Sequence, residues 1–397
     1  MERTDSLAAP DAARLRASAE LQQRIGAEID AAGGWISFAR YMDLALYAPG
    51  LGYYAAAPGV LGAWGGSSDF VTAPELGPLF AATLARQLAA VGRAEALPLI
   101  VEFGAGSGRL ACDLLVALSA LDWLPATYAI VEVSAAMRAR QQHAVAALPP
   151  ALARRVQWWD TLPERFDALV VGNEVLDAMP VQLLARDAHG WSERGVTRGA
   201  GGALAWAERP GAAAPRPTMA QLPHGSVTEV HGAAQAFVAT LAERLGRGLA
   251  LFVDYGFPAA EYDHPQRAGG TLRCHRAHRA HDDALWQPGL SDITAHVDFS
   301  GIARAARAGG LQLLGYTSQA RFLLNCGLLD ALRDALLQLP GGVAAPSDRA
   351  GVQLCASVQK LVNESEMGEL FKVIALGRGV DAPLAGFAAG DRSAALD

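Results

Sequence analysis

The 397-residue sequence is poor in the features that mark several large classes of protein. Its four cysteines lie far apart without a C-x-x-C spacing, which argues against a disulfide framework and a zinc ribbon. No apolar run is as long as a membrane span, and the N-terminus lacks the apolar core of a secretory signal. The net charge of −7 disfavours general nucleic-acid binding. With 51% hydrophobic and 18% charged residues, the chain is expected to be globular with a large core.

Apolar runs that alternate with helical patterns predict an α/β fold with a doubly wound parallel sheet. Helices are predicted over 19–32 and 34–47, the second with Ser37 as its start signal. The predicted strands cover 99–103, 128–133, 155–159, 167–172, 249–255, 311–316 and 371–376. Sheets of this kind bind ligands at the carboxyl ends of their strands.

The same patterns divide the chain into segments. We expect a mobile N-terminal segment over 1–18, a helical extension that includes a lid over 19–95, and the main domain over 96–380. Two insertions interrupt the main domain: 183–230 resembles a hairpin with a flexible tip at 199–217, and 256–298 is loop-like and polar with five histidines. A flexible tail is expected over 381–397.

A glycine-rich turn follows the first predicted strand. Gly104, Gly106 and Gly108 stand at alternate positions, with the acid Glu102 before them and Glu132 at the end of the next strand. The spacing departs from the dinucleotide pattern G-x-G-x-x-G, and no Gly-Lys-Ser/Thr follows as in a P-loop. An acid at the turn would repel a pyrophosphate, whereas S-adenosylmethionine carries a ribose, a sulfonium and no phosphate. The alternative is a purely structural turn.

An amide and two carboxylates, Asn173, Glu174 and Asp177, follow the fourth strand, which is expected beside the first. There they would face the same crevice as the glycine turn. Such carboxylates can hold a guanidinium and orient one of its nitrogens as a nucleophile. The alternative is that Asn173 caps a helix whose first turn carries the two acids.

Polar residues also follow the fifth strand and lie in the second insertion. Asp254 and Tyr255 are candidates for substrate binding, or else form a solvated strand end. The histidines of 274–281 lack a familiar ligand spacing, so no metal site is predicted. His296 could handle a proton or be structural, and Asp292 or Asp298 could cap a helix that begins near Phe299.

Taken together, these motifs resemble the MidA-like class I S-adenosylmethionine-dependent methyltransferases, whose mitochondrial members are protein arginine methyltransferases needed for assembly of respiratory complex I. The resemblance covers roughly residues 20–378. The glycine turn is shared by many enzymes, whereas the segments around Glu75, Glu174 and Asp298 are more specific. The matching segments are 41–42, 52–54, 69–75, 101–108, 131–134, 173–174, 177–180, 254–256, 270–272, 288–289, 292–299 and 367–372.

The resemblance implies a Rossmann-like, seven-stranded methyltransferase sheet with a helical N-terminal extension. It implies S-adenosyl-L-methionine as cofactor and direct methyl transfer to an arginine, with Glu174, Asp177 and Asn173 as catalytic residues. The substrate would contact Asp254, Tyr255 and His296. The cofactor would contact the following residues, of which Thr72, Pro74 and Glu75 form a lid: Thr72, Pro74, Glu75, Glu102, Gly104, Ala105, Gly106, Gly108, Glu132 and Val133.

The expected partner is a protein substrate that resembles the 49-kDa subunit of complex I, and a homodimer is also expected. The location would be the cytoplasm for a bacterial chain and the mitochondrial matrix for a eukaryotic one. Two alternatives remain: a methyltransferase that acts on a small molecule or a carboxyl group, and a non-catalytic assembly chaperone that binds the cofactor.

Overall fold

The structure, a computed structural model, describes residues 10–55, 72–276, 279–339 and 349–397. Within these ranges no helix has both the length and the apolar character required to cross a membrane. The helices are α1 (Ala12–Ala31), α2 (Phe38–Tyr47), α3 (Pro78–Ala94), α4 (Arg109–Ala120), α5 (Ala135–Ala146), α6 (Pro150–Ala153), α7 (Gly232–Arg244), α8 (Ala259–Tyr262), α9 (Phe299–Ala308), α10 (Gln319–Asn325), α11 (Leu328–Leu337) and α12 (Arg349–Val362). The strands are β1 (Ile36–Ser37), β2 (Leu99–Phe103), β3 (Thr127–Val131), β4 (Val156–Trp159), β5 (Phe166–Asn173), β6 (Gln182–Asp187), β7 (Gly190–Arg198), β8 (Leu204–Ala212), β9 (Val227–Val230), β10 (Leu245–Phe257), β11 (Arg273–Arg276), β12 (Arg279–His281), β13 (Asp292–Thr294), β14 (Val297–Asp298), β15 (Gln312–Ser318) and β16 (Phe371–Arg378).

The central sheet has the order β15-β16-β10-β5-β2-β3-β4, and β14 adds to β10 at one end. Adjacent strands from β10 to β4 are parallel, and β5 lies beside β2 as predicted. The expected parallel, doubly wound sheet is confirmed as largely parallel; strand β16 departs from it, since it runs antiparallel to both of its neighbours. Its continuous apolar sequence indicates a buried strand but carries no information about direction.

Helices cover both faces of this sheet and make two hydrophobic cores. On one face, α3 and α4 pack over residues such as Ile100 and Leu251. On the other face, α7 and α9 pack over Val101 and Phe252. Neighbouring positions of one strand thus belong to opposite cores, which is why β2, β5 and β10 are apolar at successive residues. The apolar run of each strand stops where burial on both faces stops. The polar residues discussed below follow at the carboxyl ends of these strands.

The two chain ends differ from the expectation of mobile segments. Helix α1 begins at Ala12, capped by the Asp11 carboxylate, so the boundary expected at residue 18 is too late; residues 1–9 lie outside the described ranges. The predicted flexible tail over 381–397 packs on the body, with Phe387 only 7% exposed and Leu396 1% exposed. The Ala/Gly-rich composition of this segment indicated flexibility, whereas the buried side chains of Phe387 and Leu396 anchor it.

The insertions build two further antiparallel sheets. Strands β6, β7, β8 and β9 form one sheet with β1 of the N-terminal extension, where a hairpin with a flexible tip was expected. Strand β8 occupies much of that predicted tip, 199–217. Strands β11, β12 and β13 form a small sheet within 256–298, which was expected to be loop-like. Strand β8 pairs with the preceding strand β7, and β11 pairs with β12 and β13. Composition did not reveal these strands, because strand formation depends on the partner strand as well as on the local residues.

Candidate active site

A cavity of about 1110 Å³ lies at the carboxyl ends of β2, β3, β5 and β10. This is the edge of the sheet where an α/β fold binds ligands. Residues of α2 and of the small sheet β11–β13 line its other side, together with the lid residues Thr72, Pro74 and Glu75. Part of the lid motif, residues 69–71, lies outside the described residues. The N-terminal extension and the second insertion therefore border the cavity, whereas no described residue of the first insertion, 183–230, lines it.

The glycine turn forms the floor of the cavity. Gly104, Gly106 and Gly108 all have left-handed backbones, with φ of 63°, 52° and 83°. A Cβ on Gly106 would meet no atom of the described residues within 4 Å beyond its chain neighbours, so this backbone is open to a ligand. Gly108 does not line the cavity, which corrects its assignment as a cofactor contact. It is the left-handed N-cap of α4, and a Cβ there would lie 3.1 Å from Gln141 Cα.

Glu132 and Val133 form the part of the cavity that follows β3. The Glu132 carboxylate accepts the backbone N–H of Ser134 at 2.8 Å and Nε2 of Gln141 at 2.9 Å. Burial raises the pKa of Glu132, although these hydrogen bonds act in the opposite direction. Val133 is 84% exposed, and its side chain lines the cavity. An oriented acid next to an open apolar side chain fits a ribose with an attached base.

Glu102 belongs to β2 of the central sheet and precedes the glycine turn. It is buried, and the hydroxyl of Tyr128 donates to its Oε2 at 2.7 Å. Burial raises the pKa of Glu102 to about 7, because no cation in the described residues offsets the loss of water. Across the cavity, Glu75 of the lid accepts a hydrogen bond from the Ser107 hydroxyl. The segment predicted to be a lid thus contacts the glycine turn directly, and its position over a bound cofactor stays a prediction.

The carboxyl end of β5 supplies the predicted catalytic residues. Asn173 Nδ2 donates to Glu174 Oε1 at 3.0 Å, and Tyr255 donates its hydroxyl proton to Asp177 Oδ2. Burial and the nearby Asp177 carboxylate raise the pKa of Glu174 to about 8, and burial raises the pKa of Asp177 to about 6. Asp177 Oδ1 is buried without a hydrogen-bond partner among the described residues. All four side chains line the cavity.

The backbone at Glu174 is strained. Its φ of 53° is uncommon for a residue with a side chain and costs of the order of 1 kcal/mol. No helix follows Asn173, so the alternative role of this residue as a helix cap is wrong. The chain instead makes irregular turns through residues 174–180. These turns bring Glu174 and Asp177 to the same side.

Asp254 holds these turns in place and does not line the cavity, which corrects its assignment as a substrate contact. Its Oδ2 accepts backbone N–H groups of residues 175–177 at 3.1, 2.9 and 3.3 Å. Its Oδ1 accepts the N–H of Tyr255 at 2.9 Å. Burial, with Asp177 and Glu174 close by, raises the pKa of Asp254. The carboxyl is therefore a structural anchor beneath the two cavity acids.

Tyrosines and a further acid that the prediction did not assign to the site complete this end of the cavity. The Tyr54 hydroxyl donates to Asp292 Oδ1 at 2.8 Å, and the rings of Tyr47 and Tyr54 stack with centroids 5.6 Å apart. The Tyr47 hydroxyl donates to the carbonyl of Ala178 at 3.0 Å. Asp292 lines the cavity from β13, whereas the helix after it is capped by Asp298. The resemblance already contained Tyr54 and Asp292 among its motifs, and that was the available signal.

We define the acid niche as Tyr47, Tyr54, Glu174, Asp177, Tyr255 and Asp292. His296 lies beside it, and its ring contacts that of Tyr255 with centroids 5.1 Å apart. Burial, and to a lesser degree nearby positive charges, lower the pKa of His296 to about 4, so its ring is neutral at pH 7. Within the described residues, no three or more His, Cys, Asp or Glu side chains are placed so that they could hold a metal ion. The niche thus presents several acids and aromatic rings to a ligand.

The residues present fit S-adenosylmethionine. The open backbone at Gly106, the acid Glu132 and the exposed Val133 match its amino acid tail, its ribose and its base, respectively. The acid niche lies beside the glycine turn, because Glu174 and Asp177 follow β5 and the turn follows the adjacent strand β2. A methyl donor bound on the turn would therefore have its reactive end near Glu174 and Asp177.

Comparisons with known proteins agree with this geometry. A crystal structure from Burkholderia thailandensis bound to S-adenosyl-homocysteine is 52% identical, with a TM-score of 0.90, and the match covers 98% of this chain and 100% of that one. The zebrafish (Danio rerio) and human (Homo sapiens) proteins named "Protein arginine methyltransferase NDUFAF7, mitochondrial" are 31% and 29% identical. Both matches cover 86% of this chain, and they cover 83% and 80% of those proteins. Residues 79–317 match the family described as "Putative S-adenosyl-L-methionine-dependent methyltransferase". The chain therefore belongs to this family of methyltransferases, and S-adenosyl-L-methionine is its methyl donor.

Proposed function

We propose that this methyltransferase transfers the methyl group to a guanidinium nitrogen of an arginine in a partner protein. The observation that carries the proposal is the acid niche, in which three carboxylates and three tyrosine rings surround one space beside the glycine turn. Carboxylates bind a guanidinium in bidentate pairs, and aromatic faces attract its positive charge. An acidic acceptor would be repelled by the same residues. The names of the zebrafish and human relatives are consistent with this acceptor.

The chemistry that the bound cofactor supplies is an electrophilic methyl group on a positively charged sulfur, which keeps the electron pair of the broken bond. Glu174 and Asp177 would pair with the guanidinium and aim the lone pair of one nitrogen at that methyl group. Because the product remains a cation, one N–H proton must leave. Without a bound cation, burial raises the pKa of Glu174 to about 8; the positive charge of a guanidinium in the niche favours its ionised form, which can accept that proton and pass it to water. Tyr255 and Asn173 would fix the orientations of the two carboxylates.

Several finer points belong to the same proposal. We propose Thr72, Pro74, Glu75, Glu102, Gly104, Ala105, Gly106, Glu132 and Val133 as cofactor contacts, and Tyr255 and His296 as substrate contacts. The family resemblance supports an acceptor similar to the 49-kDa subunit of respiratory complex I. The 52% identical bacterial relative supports a cytoplasmic location. A homodimer remains a prediction, and light scattering on the purified chain tests it.

The test uses the purified chain, S-adenosylmethionine with a labelled methyl group, and a cell lysate as the source of acceptors. Labelled proteins are digested, and mass spectrometry locates the methyl group on a residue and an atom. We expect the label on arginine side-chain nitrogens. The Glu174→Gln variant serves as the control, since it should bind the cofactor normally, as measured by calorimetry, and transfer little label.

Each other outcome contradicts the proposal in a different way. Label that base treatment releases from proteins would indicate a carboxyl acceptor, and label only in small molecules would indicate a metabolite as acceptor. Normal cofactor binding without any transfer would favour an assembly chaperone. Equal labelling by wild type and Glu174→Gln would remove Glu174 from its proposed role.

A further inference from the structure

The small sheet β11–β13 makes one wall of the acceptor side of the cavity. In the β11–β13 pair, Arg273 lies opposite Thr294 and His275 lies opposite Asp292. Alternate residues of a strand point to the same face, so these four side chains share one face. All four line the cavity. Two basic side chains therefore stand directly across from the strand that contributes Asp292 to the acid niche.

This arrangement separates charge along the wall of the cavity. The niche contains Glu174, Asp177 and Asp292, whereas the neighbouring strand β11 contributes Arg273 and His275. Two cations lie near the ring of Phe257: Arg267 Cζ is 3.8 Å from the ring centre, and Lys372 Nζ, which also pairs with Glu369, is 6.0 Å from it. The ring of Phe257 in turn contacts His296. An acceptor that carried only a positive charge would be attracted by the niche and repelled by this second region.

Arg273 is available to an incoming ligand although it has a partner. It pairs with Asp282, but both side chains are more than half exposed, at 55% and 52%. An ion pair in that setting contributes at most about 1 kcal/mol and is screened by salt. A ligand carboxylate inside the cavity, where water is partly excluded, can compete with Asp282 for the guanidinium. Asp282 lines a neighbouring cavity and not this one, so exchanging it for a ligand carboxylate costs Arg273 little.

We propose that Arg273 and His275 form an anion subsite that binds a carboxylate near the target arginine, so that the acceptor is an arginine flanked by acidic residues. The inference rests on the proposed function, because it assumes a guanidinium in the acid niche. It adds the sequence context that the enzyme selects. The arginine side chain of the acceptor enters the acid niche, and the carboxylate of the neighbouring acidic residue pairs with the anion subsite.

The test compares three degenerate peptide libraries, each with a central arginine and with glutamate, serine or lysine fixed at the flanking positions. Initial rates are measured with wild type, Arg273→Glu and Arg279→Glu. Arg279 is a matched control, since it lies opposite Arg276 on β12, on the face away from the cavity, and does not line it. Wild type should favour the glutamate library over the lysine library by roughly tenfold or more, as for a partly desolvated charge pair.

The Arg273→Glu variant, which reverses the charge of the subsite, gives the decisive comparison. Arg273→Glu should remove this preference or invert it towards the lysine library, whereas Arg279→Glu should keep the preference of wild type. His275→Gln should reduce the preference and leave cofactor binding unchanged. Peptides that end in arginine, as free acid or as amide, distinguish a side-chain carboxylate from a terminal one. A preference that depends only on the free terminus would contradict an acidic neighbour.

The failures are distinguishable. Equal rates on the three libraries by wild type, or the same change of preference in Arg273→Glu and Arg279→Glu, would overturn the anion subsite while leaving arginine methylation intact. Absence of arginine methylation in every library and in the lysate assay would instead overturn the proposed function on which the inference rests.

Discussion

Replacing Glu174 by glutamine should make the protein more stable and less active at the same time. The carboxyl has an ordinary pKa of 4.5, which burial and Asp177 raise to about 8. At about 1.4 kcal/mol per pH unit, a carboxyl kept protonated in the fold at pH 7 costs roughly 3 kcal/mol relative to the unfolded chain. Water in the cavity screens part of this cost, so we expect a gain of about 1–3 kcal/mol for Glu174→Gln.

The sign of the pH dependence follows from the direction of the shift. Since the folded state holds the Glu174 proton more tightly than the unfolded chain does, wild-type stability falls as pH rises from about 4.5 to 8. Glutamine does not ionise, so it lacks this contribution. The stability difference between variant and wild type should be near zero below pH 4.5, grow up to about pH 8, and stay constant above it.

Activity should change in the opposite direction. The glutamine keeps the shape of the side chain but cannot ionise when a guanidinium enters the niche, so it lacks the negative charge that would pair with this cation. Hydrogen bonds to charged groups contribute about 1.5–3 kcal/mol, which corresponds to a loss of roughly 10- to 100-fold in kcat. Denaturant unfolding from pH 4 to 9 and initial rates with labelled cofactor measure the two effects.

The control for this prediction is Glu243→Gln, because Glu243 is exposed on α7 and does not line the cavity. It should change neither stability nor rate. A stability difference for Glu174→Gln that is independent of pH would refute the assigned burial of the carboxyl. An unchanged kcat would refute its role in transfer, whatever the stability.

Three further predictions address other parts of the site. Gly106→Ala should weaken cofactor binding about tenfold or more by calorimetry with little loss of stability, since the φ of 52° strains alanine by about 1 kcal/mol and its Cβ enters the open cavity. Asp254→Ala should lower both the urea midpoint and kcat, because it leaves three N–H groups of the turn without their acceptor; a change in acceptor KM alone would instead restore a direct substrate role. Tyr54→Phe should raise the acceptor KM severalfold and leave cofactor affinity unchanged, since Asp292 loses a hydrogen bond; equal effects on both ligands would contradict its place in the acid niche.

The parts of the site that the sequence could predict are those carried by short, continuous segments. The glycine turn after β2, the acid after β3 and the acids after β5 contribute residues to the cavity, because each directly follows a strand. The alternation of these strands with helices indicates that they are parallel, so their carboxyl ends meet at one edge of the sheet. Asp254 follows a strand in the same way, yet its carboxylate turns inward to the backbone of 175–177. Sequence position shows where a strand ends but does not show whether the next side chain faces ligand or protein.

The acceptor side was harder to predict, because residues far apart in the chain build it. Tyr54 comes from the N-terminal extension and Asp292 from the second insertion, 238 positions away, and they meet through a single hydrogen bond. No periodicity connects them. The direction of β16 escaped prediction for the same reason, since strand direction depends on the path of the connection and not on the residues of the strand.

The two insertions act on the acceptor side as one unit. The Glu229 carboxylate, on β9 of the first insertion, accepts the backbone N–H groups of Thr271 and Leu272 at 2.7 and 2.9 Å. The Thr271 hydroxyl then accepts the N–H of His296 at 3.1 Å. This buried connection holds both ends of the small sheet β11–β13, whose inner face presents Arg273 and Asp292 to the cavity. A substitution of Glu229 in the first insertion should therefore alter acceptor selection, although this residue does not line the cavity. Cofactor affinity should stay unchanged, because the glycine turn is held by β2 and α4.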